Sequence, residues 1–460
     1  MGTQKRITTT GWQKLPLSLA ELCIDTTLRC GQSFRWRQIN DEWHCVLQGR
    51  IVSLRQDPSH LFYRATWPKP ASAVLPSASP TPSLSIPPSA CSPRTVNSED
   101  NGDTASLLHN YFALSHSLSA LYKQWATTDA NFAQRAPSFT GIRILNQDAW
   151  EALVAFICSS NNNISRISQM VQKLCTHYGP YIGTVEGEPF HDFPRPDALA
   201  SSGVEAHLRE LGFGYRAKYI ADTARIVAKE RPADWLRALR NPDSPTLDAP
   251  RATTPGETAA GNAAEPAAYR AAHEALLELA GVGPKVADCV CLMGLGWGEA
   301  VPVDTHVWQI AQRDYQFGKG GKTKTLTKAM YDAVGDHFRL IHGPKAGWAQ
   351  SVLFTANLKS FAEQASVKKA EVLVKVEESQ ESVSLSTVTG KRKRKIVAKE
   401  KAVKVEVEDD QCTEVKNLVR RTTRKTMVTT RSAPKVEEEG SQAAELKSVG
   451  TRSKRRKTQA

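Results

Sequence analysis

Apolar and polar residues follow two different spacings along the chain, and the change between them separates two folded regions. Between residues 11 and 67 apolar residues alternate with polar ones in short runs, which favours an antiparallel β-sheet with one face in water. A turn is predicted at Asn40-Asp41, between two of these runs. The strands are predicted at residues 33–38, 42–47 and 51–55.

From about Ser106 to Ser360 apolar residues recur every three or four positions, which is the spacing of helices packed on a core. Asp148 stands where the N-cap of such a helix is expected. Helices are predicted at residues 150–158, 164–178, 219–229 and 273–280. The predicted fold class is therefore α+β: an N-terminal antiparallel β-sheet domain (residues 1–135), then an all-helical core (residues 136–360).

Three segments depart from both spacings. Eight prolines fall between Pro68 and Pro93 among Ser and Ala, so residues 68–103 are predicted to be a disordered insertion in the first domain. Residues 241–268 are rich in Pro, Gly, Ala and Thr and are predicted to be a loop insertion in the helical core. Residues 361–460 contain a single aromatic residue and many charges, so this tail is not expected to fold alone.

Charge is concentrated in the tail. The chain carries 60 Lys and Arg against 47 Asp and Glu, a net charge of +13, and the tail, with 24 basic and 15 acidic residues, accounts for +9. The folded regions must therefore recognise a ligand through individually placed groups. Basic clusters at 391–395 and 452–457 are typical of nuclear import or of nucleic-acid tethering, and a solvated charged tail is the alternative; nuclear localisation is predicted. The first residues of the chain lack Asp and Glu and include Lys5 and Arg6, so a minor mitochondrial pool of the protein remains an open hypothesis.

Composition also excludes several classes of protein. No apolar run reaches the ~18 residues that a membrane span needs. The nine cysteines are an odd number, widely spread and mostly in apolar runs, which favours buried reduced thiols over a disulfide framework. The absence of a CxxC motif argues against a zinc ribbon.

The candidate chemistry begins at a glycine hairpin between two predicted helices. Gly281-Val282-Gly283 allows a tight turn, and Pro284 suits the first position of the helix that follows. Backbone N–H groups at such a turn, beside the positive end of a helix, can hold a DNA phosphate without reading a base. A GxG sequence is a weak signal by itself, because many helix turns contain glycine.

Lys285 and Asp304 follow the hairpin and could form a catalytic pair. Lys285 lies at the start of the helix after the hairpin, where the helix dipole disfavours a positive charge. A lysine that acts as a nucleophile needs such an environment, because it must react without its proton. A lysine that contacts a phosphate fits the pattern equally well. Cys289 lies four residues later on the same face, and Asp288 is interpreted as a partner in a surface salt bridge. Asp304 follows Pro302 at a helix N-cap; it could be only a cap, or a carboxylate beside an electron-poor sugar carbon.

The hairpin, the Gly/Pro loop and the aspartate, in this order, resemble the helix–hairpin–helix–Gly/Pro–Asp (HhH-GPD) superfamily of DNA glycosylases. Four further motifs resemble the 8-oxoguanine DNA glycosylases within it: CGQSFRW at 30–36, FICSSNNNI at 156–164, LGFGYR at 211–216 and GWAQ at 347–350. The resemblance covers residues 11–360 without the two insertions and does not include the tail.

The resemblance implies a bifunctional DNA N-glycosylase and apurinic/apyrimidinic lyase of base excision repair. Its substrate would be 8-oxoguanine opposite cytosine, flipped out of double-stranded DNA. Lys285 would form a Schiff base with the sugar, and Asp304 would stabilise the cationic sugar. This chemistry needs no metal or other cofactor, and an iron–sulfur cluster is excluded because the chain lacks four clustered cysteines after Asp304. We expect a monomer, without membrane contacts; the tail's partners are not predicted.

The resemblance also assigns substrate-binding residues, each of which has an ordinary structural alternative such as a turn, a core position or a phosphate contact. The residues that would bind the damaged base are Gly31, Cys289, Gln350 and Phe354. The residues that would contact the rest of the DNA are Asn161, Arg166, Tyr215, Arg216, Gly281, Gly283 and His306. Asn162 and Asn163 have a structural interpretation as a capped turn. Asn357 departs from the family, which is expected to carry an acidic residue there, near His306.

Two other functions remain open at this point. A glycosylase of the same fold could act on another lesion, such as an alkylated base or an oxidised pyrimidine; Gly31, Gln350 and Phe354 argue against it. A non-catalytic DNA-binding protein could use the hairpin and the basic tail alone. Lys285 together with Asp304 argues against that function, because phosphate binding requires neither residue.

Overall fold

A computed structural model describes residues 7–68, 101–247, 268–318, 326–358 and 361, which all belong to one compact unit, residues 1–383. Most of the two predicted insertions and all of the tail after Phe361 lie outside the described residues. The two basic clusters and Lys5 and Arg6 are among these, so the nuclear and mitochondrial localisations stay predictions. The part of insertion 68–103 that is described includes the start of a helix at Asn101.

The N-terminal region is an antiparallel sheet, as predicted. Its strands are β1 (Ile7–Thr9), β2 (Gln13–Pro16), β3 (Arg37–Ile39), β4 (Glu42–Leu47), β5 (Arg50–Gln56) and β6 (His60–Pro68). The spatial order is β1-β6-β5-β4-β3, with β2 also paired to β6. Strands β3 to β6 form the meander, and the predicted turn at Asn40-Asp41 has positive φ at both residues, as a two-residue hairpin turn requires.

The prediction that one sheet face is wet is wrong for its centre. A second hairpin, formed by β7 (Tyr181–Val185) and β8 (Glu188–His191), lies within the region predicted to be all-helical. Ile182 and Phe190 of this hairpin pack on Val46 and Ile51 of the sheet. The pattern of apolar and polar residues in a short strand could not predict this cover, because it does not show which distant segment packs on the strand.

The rest of the described chain is helical. The helices are α1 (Ile24–Thr27), α2 (Asn101–Tyr111), α3 (Leu118–Thr128), α4 (Ala130–Arg135), α5 (Ala149–Cys158), α6 (Ile164–Tyr178), α7 (Pro196–Leu199), α8 (Val204–Glu210), α9 (Arg216–Arg225), α10 (Trp235–Ala238), α11 (Tyr269–Leu277), α12 (Pro284–Met293), α13 (Thr305–Asp314), α14 (Lys328–His342) and α15 (Ala346–Asn357). Short 3₁₀ turns lie at Ala136–Ser138 and Gly343–Lys345, and α9 continues as a π-helical turn at Ile226–Glu230. Helix α9 begins at Arg216, three residues before the predicted start.

Helices α5 and α12 occupy the centre of the helical core. Every residue from Trp150 to Cys158 is buried, and so is every residue from Val286 to Met293. A helix that is buried on all sides lies inside a domain. The end of α5 and the start of α12 therefore have fixed positions, and the residues beside them can form a rigid site.

The segment 30–36 joins the sheet to the helical core. Arg35 donates to both carboxylate oxygens of Glu151 on α5, at 2.9 and 2.6 Å, and to Asp192 at 3.2 Å. Trp36 Nε1 donates to the Tyr111 hydroxyl on α2 at 2.9 Å. A bidentate arginine pair fixes orientation as well as distance. The loop before Arg35 is thus held against α5, and β3 begins only at Arg37 rather than at residue 33.

Candidate active site and DNA-contact surface

One small cavity of about 60 Å³ is lined by all the residues that are predicted to be catalytic or to bind the damaged base. Its predicted members come from four separate parts of the chain: Gly31, Lys285, Cys289, Asp304, Gln350 and Phe354. Residues to which the sequence assigned no role complete the wall: Cys30, Gln32, Phe156, Met293, Pro302, Val307, Ser351 and Thr355. The meeting of six predicted residues at one place is the geometry that a catalytic site requires.

Lys285 reaches the cavity from the first turn of α12. Its Nζ donates to the Ser159 hydroxyl at 3.2 Å and lies 5.2 Å from the centre of the Phe156 ring. Both partners belong to the end of α5, in the 156–164 motif, where sequence reasoning had given them no role. The amine thus bonds to one hydroxyl and faces one aromatic ring, and no carboxylate among the described residues lies within ion-pair distance of it.

The glycine hairpin before α12 has the shape that the sequence predicts. Gly281 has φ +76°, and a Cβ at this position would lie 2.5 Å from a ring carbon of Tyr219, so no other residue fits. Gly283 is the N-cap of α12, and a Cβ there would meet nothing within 4 Å. The open side of the turn leaves room for a large ligand to approach the backbone.

Asp304 has the cap role that the sequence left open, and its second carboxylate oxygen remains unbonded. Its Oδ1 accepts from the backbone N–H groups of His306 and Val307, both at 2.9 Å, which caps α13. Its Oδ2 has no hydrogen-bond partner among the described residues, and the side chain lines the cavity. One oxygen holds the helix and the other is available to a ligand.

Gly31 sits in a turn that neighbouring side chains hold in place. It has φ +87°, and a Cβ would lie 3.0 Å from Cδ1 of Ile164. The Gln32 amide donates to the Arg143 carbonyl at 2.8 Å and accepts from the Leu145 N–H at 3.0 Å. These bonds tie the turn to residues distant in sequence, so the backbone of Gly31 is presented to the cavity in a fixed orientation.

Gln350 is the least satisfied polar group of the cavity. The residue is 4% exposed, and its amide makes no hydrogen bond to any described residue. Its N and O atoms are not among the described side-chain atoms that are both fully enclosed and without a partner, so the amide faces the cavity and is available to a ligand there. Phe354, one turn further along α15, is half-buried, and its ring meets that of His306 edge to face at 5.8 Å.

Cys289 forms a neutral part of the cavity wall. It is 2% exposed, and burial raises the pKa of its thiol to about 11, although the nearby Lys285 works in the opposite direction. The thiol is therefore protonated at neutral pH. A soft, uncharged sulfur suits contact with the face of a flat ring.

Three predicted DNA-contact residues meet at the turn between α5 and α6, outside the cavity. The Tyr215 hydroxyl donates to the Ser160 carbonyl at 3.0 Å, although the residue is 47% exposed. Arg216 donates from Nε to the same carbonyl at 3.2 Å and from Nη2 to the Asn161 carbonyl at 3.1 Å. Asn161 is exposed and has φ +47°. We name this group, Ser160, Asn161, Tyr215 and Arg216, the Ser160 turn.

Arg166 and His306 are exposed and are not part of the Ser160 turn. The structural interpretation of the asparagine triplet is confirmed: the Asn163 side chain accepts from the Arg166 N–H and caps α6, and Asn162 donates to the Cys158 carbonyl at 3.0 Å. Asn357, the departure from the family pattern, accepts from Arg313 at 2.9 Å; no hydrogen bond joins it to His306.

The interpretation of Asp288 as a surface residue is wrong. It is 2% exposed and accepts hydrogen bonds from the hydroxyls of Tyr269 and Tyr331. Helical spacing places Asp288 near the Lys285 face but cannot show that α11 and α14 cover it. No signal in the sequence pairs these two tyrosines with this aspartate, because they lie 19 residues before and 43 residues after it.

The residues that the structure describes contain no group of three or more His, Cys, Asp or Glu side chains arranged to hold a metal ion. Their helices also include none of the length and apolarity needed to cross a bilayer. The seven cysteines in this part of the chain are unpaired thiols, six of them buried.

Comparisons with known proteins agree with this geometry. A family model described as the N-terminal domain of 8-oxoguanine DNA glycosylase matches residues 14–153, and one described as the HhH-GPD superfamily of base excision DNA repair proteins matches residues 154–333. An N-glycosylase/DNA lyase of Saccharomyces cerevisiae is 37% identical over 369 residues, which is 75% of this chain and 86% of the yeast protein. An N-glycosylase/DNA lyase of Arabidopsis thaliana is 33% identical over 362 residues, 77% of this chain and 82% of the plant protein.

Among solved structures, the apo form of the Clostridium acetobutylicum 8-oxoguanine glycosylase/lyase has a TM-score of 0.55 to this chain. It is 22% identical, and the match covers 76% of this chain and 98% of the bacterial one. At this identity the similarity concerns the fold, and it confirms the predicted order of an antiparallel sheet followed by a helical core.

Proposed function

The chain belongs to the family of 8-oxoguanine N-glycosylase/DNA lyases, and on that premise we propose that it excises 8-oxoguanine paired with cytosine and then nicks the strand. The observation that carries the proposal is the single cavity in which Lys285, the free Oδ2 of Asp304 and the partnerless Gln350 amide meet. Its substrate is double-stranded DNA from which the damaged base has rotated out of the stack.

Lys285 is the proposed nucleophile. Its uncharged amine forms a bond to the anomeric carbon of the sugar, while the bond from that carbon to the base breaks and the base leaves with the electron pair. Loss of a proton from nitrogen and opening of the sugar ring give a Schiff base. A proton then leaves the adjacent sugar carbon, the 3′ phosphate departs, and the strand is cut. The hydrogen bond from Nζ to the neutral Ser159 hydroxyl supports this role, because it aims the amine without requiring a charge.

Asp304 is the proposed electrostatic partner. Breaking the bond to the base leaves positive charge on the sugar, and a carboxylate fixed nearby stabilises that charge in the transition state more than in the ground state. The cap that Oδ1 makes with two N–H groups of α13 supports this role, because it prevents the carboxylate from turning away. No reorganisation is then needed when charge develops.

Four residues are proposed to recognise the base. The Gly31 carbonyl accepts the N–H that distinguishes oxidised guanine from guanine, and the Gln350 amide bonds to the base edge. Phe354 and Cys289 contact the two faces of the ring. What supports this assignment is that Gln350 makes no hydrogen bond to any described residue and that the Gly31 turn is held by Gln32. A site that hydrogen-bonds a substrate N–H rejects the analogue without it strongly.

The surface residues are proposed to hold the rest of the duplex. Asn161, Arg166 and Arg216 contact the cytosine left without a partner, and Tyr215 fills the gap in the stack. Gly281 and Gly283 present backbone N–H groups to a phosphate at the start of α12, and His306 contacts a phosphate near the lesion. The adjacency of Asn161 and Tyr215, both exposed, and of the buried Arg216 at one turn supports this assignment.

Covalent trapping tests the proposed function directly. The protein is incubated with duplexes that hold 8-oxoguanine opposite each of the four bases, and borohydride is added to reduce any Schiff base. We expect an adduct that forms fastest with the cytosine-paired lesion and is absent for Lys285→Gln, which still binds the duplex. Lys328→Gln, at an exposed lysine paired with Asp332, is the matched control and traps like the unchanged protein.

Two results would contradict the proposal. An adduct that forms only with a methylated purine or an oxidised pyrimidine would assign the protein to another lesion. Duplex binding without an adduct on any lesion would leave a non-catalytic DNA-binding protein. Equal loss of the adduct in Lys285→Gln and Lys328→Gln would mean that a change of net charge, rather than removal of the nucleophile, explains the result.

A further inference from the structure

Asp288 connects the two catalytic elements through a buried hydrogen-bond network. It lies on α12 three residues after Lys285, and each of its carboxylate oxygens accepts from one phenol: Oδ1 from Tyr269 on α11 and Oδ2 from Tyr331 on α14. His273 on α11 lies 3.6 Å from Oδ1 and also 3.3 Å from the backbone carbonyl of Pro284. The carboxylate is therefore enclosed by α11, α12 and α14.

Tyr331 extends this network to the loop that carries Asp304. Its oxygen accepts from the backbone N–H of Val303 at 3.4 Å, and Val303 immediately precedes Asp304. Val303 is 2% exposed, so this N–H has no access to bulk water as an alternative partner. A continuous path thus leads from the backbone of the helix that carries Lys285, through Asp288 and Tyr331, to the residue before Asp304.

Tyr269 makes a comparable bond to Asp288 but makes no bond to the loop that carries Asp304. It lies at the start of α11, the first helix of the glycine hairpin, and its ring faces Arg339 at 5.8 Å. Its hydroxyl donates only to Asp288 among the described residues. Burial raises the pKa of both phenols, and the neighbouring carboxylate raises them further, so both remain protonated and donate.

We propose that Asp288 is a positioning residue that, through Tyr331, sets the placement of the Asp304 carboxylate relative to the Lys285 amine. Asp288 does not line the cavity and does not touch the reacting atoms. The reaction depends on the distance between the amine and the carboxylate at one sugar carbon, and a misplacement of about 1 Å can cost up to ~10²-fold in rate. Lys285 and Asp304 lie on separate elements, and the Tyr331 bond to Val303 restrains the second against the first.

The two tyrosines provide a matched pair of variants. Tyr331→Phe and Tyr269→Phe each remove one phenol bond to the same buried carboxylate, so the two should lower the melting temperature to a similar extent. Only Tyr331→Phe also removes the partner of the Val303 N–H. We expect single-turnover excision of 8-oxoguanine opposite cytosine to slow about tenfold for Tyr331→Phe and less than about twofold for Tyr269→Phe.

Duplex affinity separates positioning from general damage. Both variants should bind a duplex carrying an uncleavable analogue of the lesion nucleotide within about twofold of the unchanged protein, because neither residue contacts the proposed DNA surface. Equal excision rates for the two variants, whether both slow or both unchanged, would overturn the proposal. So would a slow Tyr331→Phe whose duplex affinity falls by the same factor.

Asp288→Asn is a second, independent variant. It keeps the side-chain volume and removes the negative charge of the carboxylate to which both phenols donate. It should lose excision rate at least as much as Tyr331→Phe, with duplex affinity retained. A folded Asp288→Asn with the unchanged rate would overturn the proposal even if Tyr331→Phe could not be purified. The inference rests on the proposed function. If the protein without substitutions does not excise 8-oxoguanine, the proposed function itself is refuted. If that protein is active and Tyr331→Phe and Tyr269→Phe have the same excision rate, only the positioning role is refuted.

Discussion

The cavity and the Ser160 turn are both proposed to contact the same DNA, yet they are built in opposite ways. In the cavity the polar groups that would meet the substrate keep hydrogen-bonding capacity unused by the described residues: the Gln350 amide makes no hydrogen bond to them, and Asp304 keeps Oδ2 free. At the Ser160 turn Asn161 and Tyr215 are exposed, Arg216 is buried, and Tyr215 and Arg216 already bond to one carbonyl.

This difference indicates where specificity and affinity come from. A polar group that faces a closed cavity and has no protein partner bonds only to a ligand that matches it, so it discriminates strongly between ligands. A side chain that already bonds to the protein backbone gains little hydrogen-bonding free energy when a ligand binds, so it contributes modestly to affinity. We therefore expect substitutions in the cavity to change chemistry by large factors, and substitutions at the Ser160 turn to change binding by small ones.

The largest effect is expected from Asp304→Asn. Asparagine caps a helix as well as aspartate does, so the fold is retained, while the charge beside the sugar is lost. Single-turnover excision should slow about a hundredfold. Asp148→Asn is the control, because Asp148 also caps a helix through Oδ1, accepting from the Glu151 N–H of α5, and does not line the cavity. Each variant should lose only the ~0.3–1 kcal/mol of charge–dipole energy at its helix. Similar rates for the two variants would show that Asp304 is only a cap.

An intermediate effect is expected from Gln350→Leu, with stability and activity moving in opposite directions. Removing an amide that has no internal partner should leave the free energy of unfolding unchanged or raise it by about 1 kcal/mol. Excision should slow about tenfold, equivalent to ~1.4 kcal/mol of lost recognition. Thermal melting and single-turnover kinetics on the same samples measure both.

Thr355→Val is the control for Gln350→Leu. Thr355 lines the same cavity, but its hydroxyl donates to the Ser351 carbonyl at 2.8 Å within α15. This variant should lose about 1 kcal/mol of stability and keep its excision rate within about twofold. A Gln350→Leu protein that is destabilised like Thr355→Val would mean that the amide has a structural partner.

The smallest effect is expected from Tyr215→Ala at the Ser160 turn. The dissociation constant for a duplex with 8-oxoguanine opposite cytosine should rise about fivefold, the equivalent of ~1 kcal/mol of stacking, with little change in melting temperature. Tyr181→Ala on β7, at a tyrosine of similar exposure, should bind like the unchanged protein. An effect of Tyr215→Ala on excision as large as that of Asp304→Asn would remove the distinction between the two regions.

Local patterns in the sequence were sufficient for many of the elements, although not for the β7–β8 hairpin, and for several of the contacts within them. Lys285 and Cys289 share a cavity because residues four apart on one helix face the same way. Asp304 caps α13 because an acidic residue before a helix accepts from its first N–H groups. The positive φ of Gly281 follows from the tight turn between two helices. Each of these depends on residues fewer than five positions apart.

Contacts between distant residues were decided only by the tertiary structure. The bond between Lys285 and Ser159 joins residues 126 positions apart, and the covering of the sheet by β7 and β8 and the burial of Asp288 are of the same kind. Helical or strand spacing states which face of an element is apolar but not which element covers it. Packing chooses the partner by shape and by the need to satisfy every buried polar group, and that choice involves the whole chain at once.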